Sequence, residues 1–230
     1  MHFKNQLTHG VIVLTLLMNT GTLRLIDARA ENEKPAATVE VVVDTSAVPD
    51  LADWGQKAGD IVRKWDPRIV ELLKSDKFTP PRKVTLVFKE MDGIAGTSGS
   101  KIAISAQWVR EHPDDLGMVI HEYVHVVQSY PKYEHVWLVE GIADYVRYIH
   151  YEPRTDLGPI DADKASYRDG YGTTARFLAW AEKKYDKQLV KKLNAALRQT
   201  KYEDRLFEDY TGHTLDDLWK EFISDARSPD

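Results

Sequence analysis

HEYVH, residues 121–125, is the stretch whose reading decides the fold. On a helix, positions 121 and 125 lie four apart and face the same way, about one turn along the axis. Two imidazoles so placed can hold one metal ion, and the pair His121 and His125 points to zinc. Glu122 then stands beside the metal, where its carboxylate can take a proton from water. The pentapeptide therefore predicts a zinc hydrolase and a helix to carry it.

Working outward, Pro113-Asp114-Asp115 gives an acidic helix start, and the motif helix runs from Leu116 to Gln128 before Pro131 ends it. A second helix is expected over 137–148. Upstream, Thr38 to Val43 (TVEVVV) and Val84 to Phe88 (VTLVF) are β-branched or alternating runs and read as strands. Lys101 to Ser105 (KIAIS) reads as a third, either an edge strand that pairs with an extended ligand or an interior one. Between these strands, Leu51, Trp54, Ala58, Ile61 and Trp65 recur at helical spacing, and Pro67 is expected to break or kink that helix. Gly93 to Ser100 (GIAGTSGS) lacks the Gly-Lys-Ser/Thr ending of a phosphate cradle and reads as a flexible turn. Downstream, helices are expected at about 172–184, 187–199 and 214–226, with a short one near 203–209. Strands first and helices after is an α+β pattern. It predicts a β-containing lobe over 38–128 and a helical lobe over 129–226, with the motif helix between them.

Two histidines do not complete a catalytic zinc site, which takes three protein ligands and leaves one position open. His135, Glu140 and Asp144 are the candidates. Glu140 and Asp144 lie four apart on one helix and share a face. The metzincin pattern fails, because Gln128 and Pro131 stand where it needs a glycine and a third histidine.

WLVEGIADY, residues 137–145, resembles the second zinc-binding helix of the gluzincin metallopeptidases. That resemblance implies Glu140 as the third ligand and Asp144 as the carboxylate that orients His121. Only fourteen residues (126–139) separate His125 from Glu140, so a tight reversal between the helices is expected. HEYVHVVQ, WLVEGIADYVRY and YRDGYGTTARFLAWAEKKY, taken in order, resemble the basic secretory protein family of plant and bacterial peptidases, over roughly 38–226. The family implies a zincin-like metallopeptidase fold, one catalytic Zn2+ and a peptide or protein substrate. Related enzymes use a tyrosine or histidine to stabilise the oxyanion. Tyr171 is taken for that role, with Tyr167 behind it; Arg176 reads first as a surface ion pair, and after that as a partner for Asp144, Glu140 or a substrate carboxylate. The chain departs from the family's name in being acidic, with a pI of about 5.9.

Composition narrows the field further. The 230 residues carry a net charge of -5, which offers no basic surface for nucleic acid. No cysteine is present, which removes thiolate metal sites, disulfides and a cysteine nucleophile. The N-terminus reads as an export signal. Lys4 precedes an apolar core, VIVLTLLM (11–18), and Ala28-Arg29-Ala30 offers cleavage after Ala30. The apolar core is too short for a membrane anchor. A secreted or periplasmic protein is expected. Competing readings are an inert zincin fold serving as a binding module and a zinc hydrolase of other amide bonds, such as cell-wall peptides. His112, His150 and His213 have no spacing argument and read as surface residues, and the tryptophans as core.

Overall fold

Val84, Leu86 and Phe88 alternate with more exposed neighbours in β2 (Lys83–Lys89) and are wholly buried. That alternation sets the inner face of a four-stranded sheet. The structure is a computed structural model that describes residues 38–153 and 157–227. The sheet order is β1-β2-β4-β3, with β1 Glu40–Asp44, β3 Ala95–Ser98 and β4 Lys101–Ser105. β1, β2 and β4 run parallel, and β3 pairs antiparallel with β4. Helix α1 (Ala52–Leu72) makes the crossover between β1 and β2 and packs on both. The motif helix α3 (Gly117–Gln128) packs beside it against β3 and β4. The described residues belong to one compact unit. Residues 1–37, with the expected export signal, lie outside the described residues, as do 154–156 and 228–230.

Lys101–Ser105 is thus an interior strand, and the edge belongs to the Gly/Ser-rich run that the sequence suggests is a turn. Ser98 pairs with Lys101 across Gly99-Ser100, and Gly99 has φ +58°, as the first central position of a type II′ hairpin turn demands. β3 carries no apolar alternation. Its pairing comes from β4 and the turn, which periodicity does not register.

Pro67 does not end α1. Asp66 and Ile69 on either side of it are buried, and their packing offsets the lost backbone bond. Asp66 accepts from both Nη atoms of Arg82 (3.0 and 2.7 Å) and from the hydroxyl of Tyr123 (2.7 Å). Tyr123 lies inside the motif and is wholly buried, so this network fixes α3 to α1. A short helix, α2 (Ala106–Glu111), follows β4 and has no counterpart in the sequence reading. At the other end of α3, Ser129 takes a left-handed conformation (φ 41°) as the C-cap. Arg198 reaches the free carbonyls of Val127 (3.1 Å) and Gln128 (3.3 Å), a cation placed at the negative end of the helix.

Helix α4 (Val136–Tyr145) is buried from Trp137 through Tyr145 and passes into a π-helical turn, Val146–Tyr151, which carries the helical path three residues past the expected end at 148. It packs most closely on α5 (Tyr171–Lys184). α6 (Leu189–Arg198), α7 (Leu206–Thr211) and α8 (Leu215–Arg227) complete the unit near their expected positions. The molecule is a mixed α+β fold. No helix among the described residues is long and apolar enough to cross a membrane.

Gly141 sets the α4–α5 approach. A Cβ there would lie 2.2 Å from Cγ2 and 2.6 Å from Cβ of Thr174, a fully buried side chain of α5. Gly141→Ala is expected to force the helices apart and cost about 1–3 kcal/mol, read as a lower denaturation midpoint in urea. An unchanged midpoint would mean that the interface has slack.

Candidate metal centre

α3 and α4 bring four of the singled-out side chains to one point. His121 Nε2 lies 3.1 Å from His125 Nε2 and 3.1 Å from Glu140 Oε2, and His125 Nε2 lies 3.4 Å from the same oxygen. These three residues are the group among the described residues whose ligand atoms converge closely enough to hold a metal ion. A tetrahedral zinc with bonds of about 2.0–2.2 Å separates its ligands by roughly 3.3 Å. The observed triangle has that size.

The far sides of both rings are already engaged. Asp144 Oδ1 lies 2.7 Å from His121 Nδ1. Gln128 Oε1 lies 2.7 Å from His125 Nδ1, while its amide nitrogen donates to the carbonyl of Val139 (3.0 Å). That second bond fixes which way the Gln128 amide faces, so His125 carries its proton on Nδ1 and turns the Nε2 lone pair toward His121. With Asp144 holding His121 the same way, two lone pairs and a carboxylate face one another about 3 Å apart. A cation answers that arrangement. Burial opposes charge on His121, but the bonds to Asp144 and Glu140 carry its pKa up to about 9, so with no metal ion a proton on Nε2 is the cation that answers Glu140, and a metal ion would displace it. Burial likewise pushes the Glu140 carboxyl up, and the two histidines outweigh it and hold it well below the usual range.

Glu122 is buried at the edge of this group, outside the converging triangle. Thr97 Oγ1, on β3, lies 2.6 Å from Glu122 Oε2 and 2.9 Å from the Glu122 carbonyl. A hydroxyl has one hydrogen to give, and the carboxylate is the stronger acceptor. The centre opens into a cleft of about 1310 Å³. β3 and α3 line one part of it, and α4, α5 and the 157–165 segment line the rest.

Residues 51–222 match the family described as BSP, peptidase of plants and bacteria. The chain belongs to that family. No curated protein and no solved structure matches the chain. Membership places the chain among peptidases, and the matched span holds β2 to β4, the motif helix, α4 and α5.

In this BSP-family chain the remaining candidates divide by position. Tyr171 begins α5 with φ 45°, a conformation that favours glycine, and its side chain is exposed in the cleft. Its ring stacks on His121 with centroids 6.1 Å apart, and the carboxylate of Glu140 keeps its hydroxyl protonated above the usual range, with burial adding to that. Tyr167 points elsewhere and donates to Asp216 (2.9 Å). His135 packs its ring on Tyr202, with centroids 4.6 Å apart, and is not part of the converging group. His112 stacks on Trp108 at the surface, whereas His150 is half-buried against Tyr145, not the surface residue expected, because the π-helical turn folds it back. Trp137 is core, and Trp108, Trp180 and Trp219 are partly buried and packed against the core.

Three site residues escape the sequence reading. Gln128 stands three residues after His125 on the same helix face, a spacing that was available. Tyr133, whose hydroxyl donates to Glu140 Oε1, sits in the reversal between α3 and α4, where no periodicity marks it. Thr97 belongs to the strand that reads as a turn.

Proposed function

We propose that this chain is a zinc-dependent metallopeptidase with a zincin-like fold, exported through its N-terminal signal and working outside the cytoplasm. The observation that carries the reading is the triangle of His121, His125 and Glu140 donors, with both rings pinned from behind by Asp144 and Gln128. When bound, one zinc ion supplies Lewis acidity, which eases deprotonation of water and polarises the scissile carbonyl.

The chain's own residues do the rest. Glu122 takes the proton of the attacking water and returns it to the leaving amine. Thr97 holds the Glu122 carboxylate in one orientation, so the base is aimed before substrate arrives. Tyr171, exposed over His121, donates a hydrogen bond from its hydroxyl to the oxyanion that forms on the substrate. Asp144 and Gln128 fix the ring tautomers and keep both Nε2 lone pairs turned inward.

Purified protein incubated with peptide libraries is expected to cut internal or terminal peptide bonds, to lose that activity to a chelator and to regain it with zinc. Cleavage indifferent to chelation would overturn the metal assignment. Bound zinc with no cleavage of any library would support the inert binding module instead.

Two further outcomes follow from the residues behind the centre. Asp144→Asn and Gln128→Leu should each weaken zinc binding by about 10–100-fold, measured by competition with a chromophoric chelator. Thr97→Val, which keeps shape and removes the hydroxyl, should lower kcat by about 10–100-fold, the worth of one hydrogen bond to a charged group, with zinc content unchanged. Thr97→Ser should recover most of the rate. A Thr97→Val enzyme at full rate would show that Glu122 is held by other means.

A further inference from the structure

Arg176, on α5, lines the same cleft as His121 and Glu122. Its described hydrogen bond runs from Nη1 to the carbonyl of Gly158 (2.7 Å), and among the described residues no carboxylate lies within ion-pair distance. The other cations of the cleft are engaged. Arg147 sits between Asp115 and Glu152, at 2.6 Å from each, and Lys164 bonds Asp161 at 3.0 Å. Elsewhere Arg82, Arg110 and Arg168 each hold an acid, and Arg198, which has none among the described residues, spends all three guanidinium nitrogens on the carbonyls of Leu73, Val127 and Gln128 and on Ser75 and Asn194.

A half-buried guanidinium without an acid is costly, because it gives up water and gains no countercharge. Burial depresses the pKa of Arg176, and no neighbouring acid offsets it. The fork geometry of a guanidinium matches a carboxylate with two parallel bonds, and the donors that Gly158 does not use remain for one. The cleft-wall acids outside the metal centre are committed. Asp161 faces Lys164 and the amide of Asp163, and Asp169 accepts from the amide of Ser166. Arg176 follows Tyr171 by five residues, about 7–8 Å along the helix, which corresponds to roughly two residues of extended peptide.

We propose that Arg176 is a receptor for a carboxylate of the peptide substrate, from either the peptide C-terminus or an Asp or Glu side chain, and that it makes this cleft selective for such peptides. The inference rests on the peptidase reading. A net charge of -5 and the acidic cluster of Glu122, Glu140 and Asp144 disfavour an acidic ligand, so selection for one needs a dedicated cation.

The test separates binding from turnover. Zinc-loaded Glu122→Gln protein is titrated calorimetrically with paired peptides: one sequence as free acid and as C-terminal amide, and the same sequence with Glu or Gln at each position in turn. One of the pairs is expected to differ by about 10–100-fold in favour of the acid. The free-acid pair would identify the terminus and a Glu/Gln pair the side chain. Adding Arg176→Met should bring the ratio close to one, with the thermal midpoint retained, and Arg176→Lys should keep part of it. No preference in any pair, or a preference that survives Arg176→Met, would overturn the proposal. Cleavage of uncharged peptides by wild type decides the peptidase reading separately, whatever the ratio shows.

Discussion

Glu122→Gln is expected to lower kcat by about 10²–10⁴-fold, the range that a positioned general base contributes, while zinc content stays at the wild-type level. The two halves of that expectation come from different observations. The Glu122 side chain is not among the three converging donors, so its replacement leaves the metal site whole. Gln keeps the shape and can still accept the Thr97 hydroxyl, so the substitution removes basicity with little change in packing. Steady-state kinetics beside elemental analysis checks both halves. Loss of zinc in the variant would mean that Glu122 belongs to the coordination set. A rate close to wild type would remove it from the proton transfer.

Phe177→Ala is expected to destabilise the protein by about 3–5 kcal/mol. Phe177 is wholly buried on α5 and packs edge-on or stacked against Phe207, Trp219 and Phe222, with ring centroids 6.0, 5.5 and 5.7 Å away. It is the point where α5, α7 and α8 meet. For a domain of this size the cost corresponds to a fall in Tm of roughly 6–20 °C. Zinc stoichiometry in the folded variant should be unaffected, because none of those rings touches His121, His125 or Glu140. A change in Tm of a degree or two would mean that the cluster closes over the gap.

What the sequence made legible depends on the kind of signal each element carries. That His121 and His125 face one point of a helix with Glu122 at its edge was readable because residue type and a four-residue spacing carry a helical geometry. The four-residue spacing of Glu140 and Asp144 marked both as candidates beside His135, and only the resemblance of WLVEGIADY to a zinc-binding helix separated their roles. β2 and the long helices were readable from apolar period alone. β3 was not, since Ala95-Gly96-Thr97-Ser98 has neither β-branched density nor alternation, and its place is set by pairing with β4. The same gap hid Thr97. α2 is six residues long, too short to show a period. Pro67 shows tertiary packing overriding a local breaker, since Asp66 and Ile69 hold the helix on the core. Tyr133 enters the site because the reversal between α3 and α4 carries it back over Glu140, and a turn's path is not encoded in a pattern.

The account's central claim is that His121, His125 and Glu140 form one zinc site. Anomalous diffraction at the zinc absorption edge, from crystals grown with zinc, tests it most directly. The expected result is a single strong peak within bonding distance of Nε2 of both histidines and of the Glu140 carboxylate. A peak at another cluster, or none while the histidines and Glu140 remain in contact with one another, would contradict it.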